Sequence, residues 1–220
     1  MKTMSLSNFS IEYGDTQSVP ISNLAIELNA VGAQVYGVET ALSVEILTNW
    51  LQTCPQGFYF LRSESTLAGY LYAMPITKAE YDASLDSEYD ERTLYQNEFG
   101  SAGVEKPYRY YLFSSLVVAP QFRETTPASL LLRLAFLRRL IQWSDSNSLV
   151  CISAQALSRN GESCAQSLMM EKVGITSKNW IIYNAVLSNE QLLFLEDKFQ
   201  KKKLLKNVAP MPIRKGALKS

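Results

Sequence analysis

Residues 115–131 read SLVVAPQFRETTPASLL, an apolar strand that turns through a short loop into a helix. The strand stops at Ala119-Pro120 because proline has no N–H to donate to a sheet. Pro127 suits the first position of the helix, where a backbone N–H is not needed. The loop N–H groups and the positive end of the helix can together hold phosphate oxygens. The stretch therefore predicts an anion site, to which Arg123 adds a charge-assisted contact.

The sequence on both sides of this stretch alternates between strand and helix patterns. Aromatic and apolar runs at 57–61 and 67–74 predict a hairpin that Pro75 ends, and Ser43 and Thr77 open helices. From residue 57 onward the order is β-β-(α)-β-α-β-α-β, an α/β arrangement. The other predicted elements are helix 44–51, strand 108–118, helix 127–143, strand 148–154, helix 162–172 ended by Gly174, strand 180–187 and helix 190–205.

The composition excludes several classes of protein and of chemistry. Of the 220 residues, 47% are hydrophobic and 19% charged, which is typical of a folded chain and not of a disordered one. The chain has no histidine. This excludes a nucleophile activated by histidine, a histidine-ligated zinc and an imidazole general base.

The cysteine residues and the hydropathy of the chain indicate which cellular location we expect for the protein. Cys54, Cys151 and Cys164 are widely separated and form no C-x-x-C pair. An odd count without a secretory leader is typical of a reduced, intracellular protein, so we expect a cytoplasmic location. No apolar run approaches the roughly 20 residues that cross a bilayer, so no membrane span is expected.

The net charge of zero hides an uneven distribution. Residues 198–220 carry eight basic residues and no acidic one, which leaves 13 basic against 21 acidic residues in the rest of the chain. An acidic body does not look like a dedicated reader of nucleic acid, whose recognition face is basic. The acidic stretch at 80–98 either attracts cationic amines or is a solvated insertion, and both interpretations stay open.

The central stretch resembles the GCN5-related N-acetyltransferase (GNAT) superfamily. Members carry an apolar strand, a Val-x-Pro step and a loop of the form Arg/Gln-x-x-Gly-x-Gly/Ala before a long helix. Here Val118-Ala119-Pro120 and residues 123–128 match, and residues 171–175 (EKVGI) are similar to a later family segment. The resemblance covers most of residues 57–187. It implies an α/β fold with a mixed, mostly antiparallel central sheet, a splayed parallel strand pair and flanking helices.

The resemblance also implies a division of the chain and a mode of binding acyl-CoA. Residues 1–190 would form a single acyltransferase domain, and 191–220 a C-terminal helix and basic tail. The pantetheine arm would fill the gap between the splayed strands like an extra strand, with the diphosphate on the loop at 123–129. The residues that the resemblance assigns to CoA are Leu116, Val117, Val118, Arg123, Glu124, Thr125, Thr126, Ala128, Ser129 and Asn160.

Two positions depart from the family pattern. Thr126 stands where the family has the central loop glycine, so the loop has less φ freedom and a Cβ near the diphosphate. Met170 stands where the family often has a tyrosine that protonates the departing thiolate. The resemblance therefore leaves the proton donor unidentified.

Three residues are candidates for a catalytic role. Glu39 lies in the segment that folds over the acceptor site in this family, where a carboxylate can relay the proton of an amine; its alternative is solvated surface. Ser115 either lines the acceptor pocket or is an ordinary serine of a half-exposed strand. Cys164 is either a substitute acid or a cysteine that packs on a helix.

The function that the resemblance implies is transfer of an acetyl group from acetyl-CoA to a primary amine of a small molecule or peptide. Direct attack on the thioester needs positioning, a polarised carbonyl and a route for one proton, and needs no metal. Two alternatives stay open: a CoA-binding or regulatory module that has lost turnover, and N-acyl transfer from longer acyl donors. Association into a homodimer also stays open.

Overall fold

The computed structural model describes residues 9–94, 107–123 and 128–201. Short 3-10 turns occur at Pro55–Gly57, Glu91–Thr93 and Pro120–Phe122. The strands and helices of the described residues are, in chain order, β1 (Phe9–Tyr13), α1 (Ile21–Tyr36), α2 (Val44–Thr53), β2 (Phe58–Ser63), β3 (Thr66–Ile76), α3 (Lys78–Ser84), β4 (Tyr110–Val118), α4 (Ala128–Trp143), β5 (Val150–Ala156), α5 (Arg159–Ser167), β6 (Glu171–Ile175), β7 (Ile181–Leu187) and α6 (Asn189–Gln200).

The strands of the described residues form one seven-stranded sheet in the order β1-β2-β3-β4-β5-β7-β6. Neighbouring strands are antiparallel except β4 and β5, which are parallel. A parallel pair needs a crossover, which α4 supplies, whereas β2 and β3 are joined by the tight turn at Glu64 and Ser65. The structure thus confirms the predicted α/β fold with its mixed, mostly antiparallel sheet.

Helices cover both faces of the sheet. On one face Trp50 of α2 packs edge-on against Tyr72 of β3, with ring centroids 6.0 Å apart. On the other face Phe136 of α4 packs edge-on against Tyr59 of β2 at 5.9 Å. Helices α1 and α3 share the first face and α5 lies on the second, so the apolar core has two layers.

Helix α6 packs on the outer side of α4. Its residues Leu192, Leu195 and Phe199 are fully buried, and Glu196 accepts a hydrogen bond of 2.9 Å from Arg138 on α4. The helix begins at the boundary that the sequence analysis drew at residue 190, and the division of the chain there stays a prediction. The basic tail from residue 202 onward lies outside the described residues.

Pro75 does not end its strand as predicted, because β3 continues to Ile76. The partner strand β2 begins at Phe58, which pairs with Tyr72. No residue of β2 pairs with β3 beyond that point, so the nitrogen of Pro75 interrupts no hydrogen bond between these two strands. A proline at such an edge is compatible with a strand.

Residues 171–175 form strand β6 and not the end of a helix, which corrects a second prediction. Helix α5 stops at Ser167, and Met169 takes a φ of 60° that reverses the chain. Gly174 therefore lies within β6, at the edge of the sheet beside β7. β6 is exposed along most of its length, and its five residues, with Gly174 among them, are too few for the Val173–Ile175 alternation to distinguish a strand from a helix end.

Replacing Phe136 by Ala tests the core on the α4 face. Its side chain is fully buried and contacts Tyr59, Tyr111 and Phe113 at centroid distances of 5.9, 6.1 and 5.5 Å. We expect the variant to lose about 3–5 kcal/mol of unfolding free energy in urea denaturation, because a cavity remains. The control Phe194→Ala, at a side chain 59% exposed, should change it by less than about 0.5 kcal/mol. Similar losses in both variants would contradict the packing.

Candidate active site between β4 and β5

The parallel pairing of β4 with β5 ends half-way along β4. It joins four residues of β4, from Tyr110 to Phe113, to β5. Strand β4 continues to Val118 and β5 to Ala156 without further pairs between them. The two strands therefore diverge toward their C-terminal ends, which confirms the predicted splay.

A β-bulge at Ser114 accompanies this divergence. Tyr72 of β3 pairs with Ser115 and Ala73 with Phe113, so Ser114 is an extra residue without a partner on β3. One extra residue shifts the alternation of hydrogen-bonding groups along β4. Beyond the bulge, the residues of β4 therefore no longer keep the alternation of N–H and C=O groups that pairs them with β5.

Beyond the bulge the backbone of β4 alternates between β3 and an open edge. The Ala119 N–H donates to the Ala68 carbonyl on β3 across 2.9 Å, and Val117 turns to the same side. Because successive residues of a strand turn their N–H and C=O groups to opposite edges, Leu116 and Val118 turn theirs to the open edge. A ligand with amide groups can add there as a further strand.

The open edge leads into a cleft on the face that α1 covers. Its walls come from the end of α1 and the loop that follows, from β3 and β4, from the 3-10 turn at 91–93 and from the loop between β6 and β7. The interior of about 50 Å³ has room for a few water molecules. The residues that line the cleft are Tyr36, Thr40, Leu42, Tyr70, Tyr72, Asp90, Glu91, Arg92, Ser114, Ser115, Leu157, Lys178 and Trp180.

Glu91 has the electrostatic properties of a general base. Asp90 caps the 3-10 turn by accepting the Arg92 N–H at 3.0 Å, and Glu91 faces Ser114 on β4. Burial raises the pKa of the Glu91 carboxyl from 4.5 to about 7; the Ser114 hydroxyl opposes the rise, and the Asp90 charge adds to it. A carboxyl with this pKa can take up and release a proton near neutral pH.

Tyr36 places a protonated hydroxyl in the same cleft. It ends α1, and its hydroxyl forms a hydrogen bond of 3.1 Å with the Ser115 hydroxyl. Burial raises the pKa of Tyr36, although the Ser115 hydrogen bond opposes the rise, so the phenol stays protonated well above neutral pH. Tyr36 can therefore hold a proton in the cleft and pass it on as it takes up another.

The loop between β6 and β7 is a braced turn. The Thr176 N–H donates to the Trp180 carbonyl at 2.8 Å, and the Trp180 N–H donates to the Thr176 hydroxyl at 3.0 Å. The Ser177 N–H donates to the Ser87 carbonyl at 3.2 Å, and the Ser177 hydroxyl donates to Glu88 at 3.2 Å. These contacts fasten the loop to the segment that leads to Glu91.

Solved proteins share this architecture, although no protein-family model and no curated protein matches the chain. The loading GNATL domain of CurA from Lyngbya majuscula aligns with a TM-score of 0.60 at 13% identity, over 81% of this chain and 97% of that domain. The chain has the GNAT fold. The GNAT-like decarboxylase GphF, in complex with isobutyryl-CoA, aligns with a TM-score of 0.54 at 15% identity, over 80% of this chain and 98% of its own. Ard1 from Thermoplasma volcanium aligns with a TM-score of 0.52 at 11% identity, over 82% and 98% respectively.

Part of the set that the sequence assigned to CoA lies along the open edge of this GNAT fold. Leu116 and Val118 face the gap, whereas Val117 pairs with Tyr70 and turns its backbone groups to β3. Ala128 and Ser129 are the first two described residues of α4, and Asn160 lies exposed in the first turn of α5. Glu124, Thr125 and Thr126 lie outside the described residues, as does Pro127.

One guanidinium group lies at the end of the open edge, next to the predicted anion site. Arg123 donates from Nε to the Val118 carbonyl at 2.9 Å, one of the groups that face the gap. The guanidinium has five N–H donors, so a phosphate can be bound beside this contact. Arg133 of α4 instead donates to the Ser129 carbonyl at 3.0 Å and to the Ser167 hydroxyl of α5, and lies 5.1 Å from the centre of the Phe199 ring of α6.

Of the three catalytic candidates, Ser115 lines the cleft and the other two do not. Glu39 is exposed next to Thr40. Cys164 is half-buried on α5, where burial raises the pKa of its thiol. The structure thus brings Ser115 into contact with Tyr36; Glu39 lies outside the cleft, and Cys164 does not line it, although a charge on its thiol would raise the pKa of Tyr36.

Sequence reasoning missed Glu91 and Tyr36. Glu91 belongs to an acidic stretch in which no motif separates it from Asp86 or Glu88. Tyr36 precedes Gly37, where the helix ends, and no local pattern distinguishes it from a tyrosine that packs in the core. Only the tertiary fold brings both side chains to the gap.

The described residues contain neither a membrane-spanning helix nor a metal centre. Each helix there is too short or too polar to cross a bilayer. No three Asp, Glu or Cys side chains in the described part converge as a metal ion requires.

The pKa of Glu91 predicts how stability depends on pH. The unfolded carboxyl ionises near 4.5 and the folded one near 7, so the wild-type protein loses stability as pH rises through this range. The variant Glu91→Gln has no carboxyl at this position, so its unfolding free energy does not show this loss. We expect the variant to exceed the wild type in unfolding free energy by on the order of 2 kcal/mol at pH 8, and by less at pH 5.

Urea denaturation at the two pH values measures this difference. Glu171→Gln, at an exposed position of β6, is the matched control and should show no such gain. An equal effect of Glu91→Gln at both pH values would contradict the raised pKa.

Proposed function

We propose that the protein transfers an acyl group, in the simplest case acetyl, from acyl-CoA to a primary amine. The observation that carries the proposal is the unpaired edge of β4, which opens into the cleft that contains Glu91. A thioester held along that edge would meet an amine beside the carboxylate. Such a reaction fits a chain without histidine.

The groups at the open edge match the chemistry of the acyl-CoA substrate. The pantetheine arm contains amides, and the N–H groups of Leu116 and Val118 and the C=O group of Leu116 would pair with them, since the Val118 carbonyl already accepts from Arg123. The diphosphate needs positive charge and N–H donors, which Arg123 and the start of α4 would supply. We keep residues 124–126 in this proposed set because they directly follow Arg123 in the chain.

Glu91 would prepare the acceptor. A primary amine reaches the cleft mainly as its ammonium ion, and the carboxylate would attract the ion and take one proton. The neutral nitrogen then attacks the thioester carbonyl carbon, so that a C–N bond forms and the C–S bond breaks. Because the pKa of Glu91 is raised to about 7, the carboxylate is available at neutral pH and holds a proton better than an ordinary carboxylate.

Tyr36 would protonate the departing CoA thiolate. Its hydroxyl, paired with Ser115 at the mouth of the gap, would take the role that the family tyrosine has and that Met170 lacks. The phenol would recover its proton from the nitrogen as the amide forms. Two of the three ammonium protons are thus lost, one through Glu91 to solvent and one to the thiol.

The chemistry of the cleft favours this reaction over two others. GphF is a GNAT-like decarboxylase, but the release of CO₂ from an acyl-CoA consumes no amine, so it would leave Glu91 without an ammonium proton to accept. A long acyl chain needs an extended apolar tunnel, whereas the interior of this cleft measures only about 50 Å³. A small-molecule or peptide amine with a short acyl donor suits it best.

Cys54, Cys151 and Cys164 are all free thiols, which suits a cytoplasmic location.

An assay of thiol release with acetyl-CoA and pools of primary amines tests the proposal. We expect acetyl-CoA to raise the melting temperature and thiol to appear only when an amine is present. Glu91→Gln should lower kcat/KM by about 10²–10⁴-fold and remove the rise in rate around pH 7, because the general base is lost. Tyr36→Phe should lower kcat, and Glu171→Gln should change neither parameter.

Other outcomes of these assays would support other functions. Stabilisation by acetyl-CoA without thiol release for any amine would favour a binding module that has lost turnover. No stabilisation would refute both. Release of CO₂ from malonyl-CoA without an amine would favour decarboxylation.

A further inference from the structure

Four charged residues line the cleft, the acidic Asp90 and Glu91 and the basic Arg92 and Lys178, and two of them, Glu91 and Lys178, form no ion pair with each other. Glu91 and Lys178 both belong to its walls. The Lys178 charge acts on Glu91 and lowers the pKa of that carboxyl, against the larger effect of burial. The two groups nevertheless form no salt bridge, so space separates them.

The backbone of Lys178 is fixed by the turn in which it lies. Asn179 takes a φ of 62°, and its N–H donates to the Thr176 carbonyl at 2.9 Å. Ser177, the neighbour of Lys178, is bound to Ser87. Lys178 and Glu91 are thus carried by two segments that are fastened together through Ser177, while the Lys178 side chain itself is exposed.

The ammonium group of Lys178 has no acidic partner among the described residues. It lies 5.1 Å from the centre of the Trp180 ring, a cation–π contact that leaves its N–H donors available. The acidic groups that line the same cleft, Asp90 and Glu91, form no salt bridge with it. An anionic group of a ligand can therefore be bound there.

We infer that the acceptor is a free amino acid, with its ammonium group at Glu91 and its carboxylate at Lys178. This inference rests on the proposed function and names the substrate class. Simple amines would satisfy Glu91 but leave Lys178 without a partner. A zwitterion satisfies both charges and orients its nitrogen toward the gap between β4 and β5.

A comparison of each of the common amino acids with its C-terminal amide tests the inference. The amide keeps the amine and the side chain but removes the negative charge. We expect at least one amino acid to be acetylated with a kcat/KM about tenfold or more above that of its amide, the scale of one charge-assisted hydrogen bond. In Lys178→Gln this ratio should fall to near one, through a higher KM for the amino acid.

The matched control is Lys172→Gln, an exposed lysine on β6 outside the cleft, which should keep the wild-type ratio. Lys178→Arg should restore part of the preference, since the positive charge returns. If amides and simple amines are acetylated as well as amino acids, the inference is wrong while the proposed function stands. If no amine of any class is acetylated, the proposed function itself fails.

Discussion

The site depends on one constraint, the end of the pairing between β4 and β5 after Phe113. A parallel ladder requires that alternate residues of β4 turn their backbone groups to β5, and the extra residue at Ser114 breaks that alternation. Buried N–H and C=O groups without partners are unfavourable, so the open edge is a site that a ligand backbone stabilises when it binds. In this region the position beside β4 that a neighbouring strand would occupy is open to the substrate.

The cleft beside this gap costs the fold some stability. Glu91 is held where burial disfavours its charge, and Tyr36 and Ser115 place hydroxyls against an otherwise apolar sheet. Apolar side chains would pack there more favourably. Buried polar and ionisable groups of this kind are therefore typical of functional sites. The Glu91 carboxyl ionises near neutral pH and can act as the base. The Tyr36 phenol stays protonated and can act as the acid.

The sequence predicted the parts of the fold that rest on local chemistry. The Val118-Ala119-Pro120 step marks the end of β4, and Ser43 and Thr77 cap α2 and α3 as expected. It could not predict β6, because five exposed residues that include Gly174 also fit the end of a helix, and no pattern revealed β1 or α1. The gap was predicted from the resemblance, but Glu91 was not, since its raised pKa results from neighbours that are distant in sequence.

Amide hydrogen exchange at β4 tests the central claim most directly. In the free protein the account predicts fast exchange at Leu116 and Val118, which face the gap, and slow exchange at Val117, which is paired with β3. Saturation with acetyl-CoA should then protect Leu116 and Val118 and leave Val117 unchanged. Slow exchange at all three residues before acetyl-CoA is added, or fast exchange at Leu116 and Val118 after it, would contradict an open edge that takes up the thioester arm.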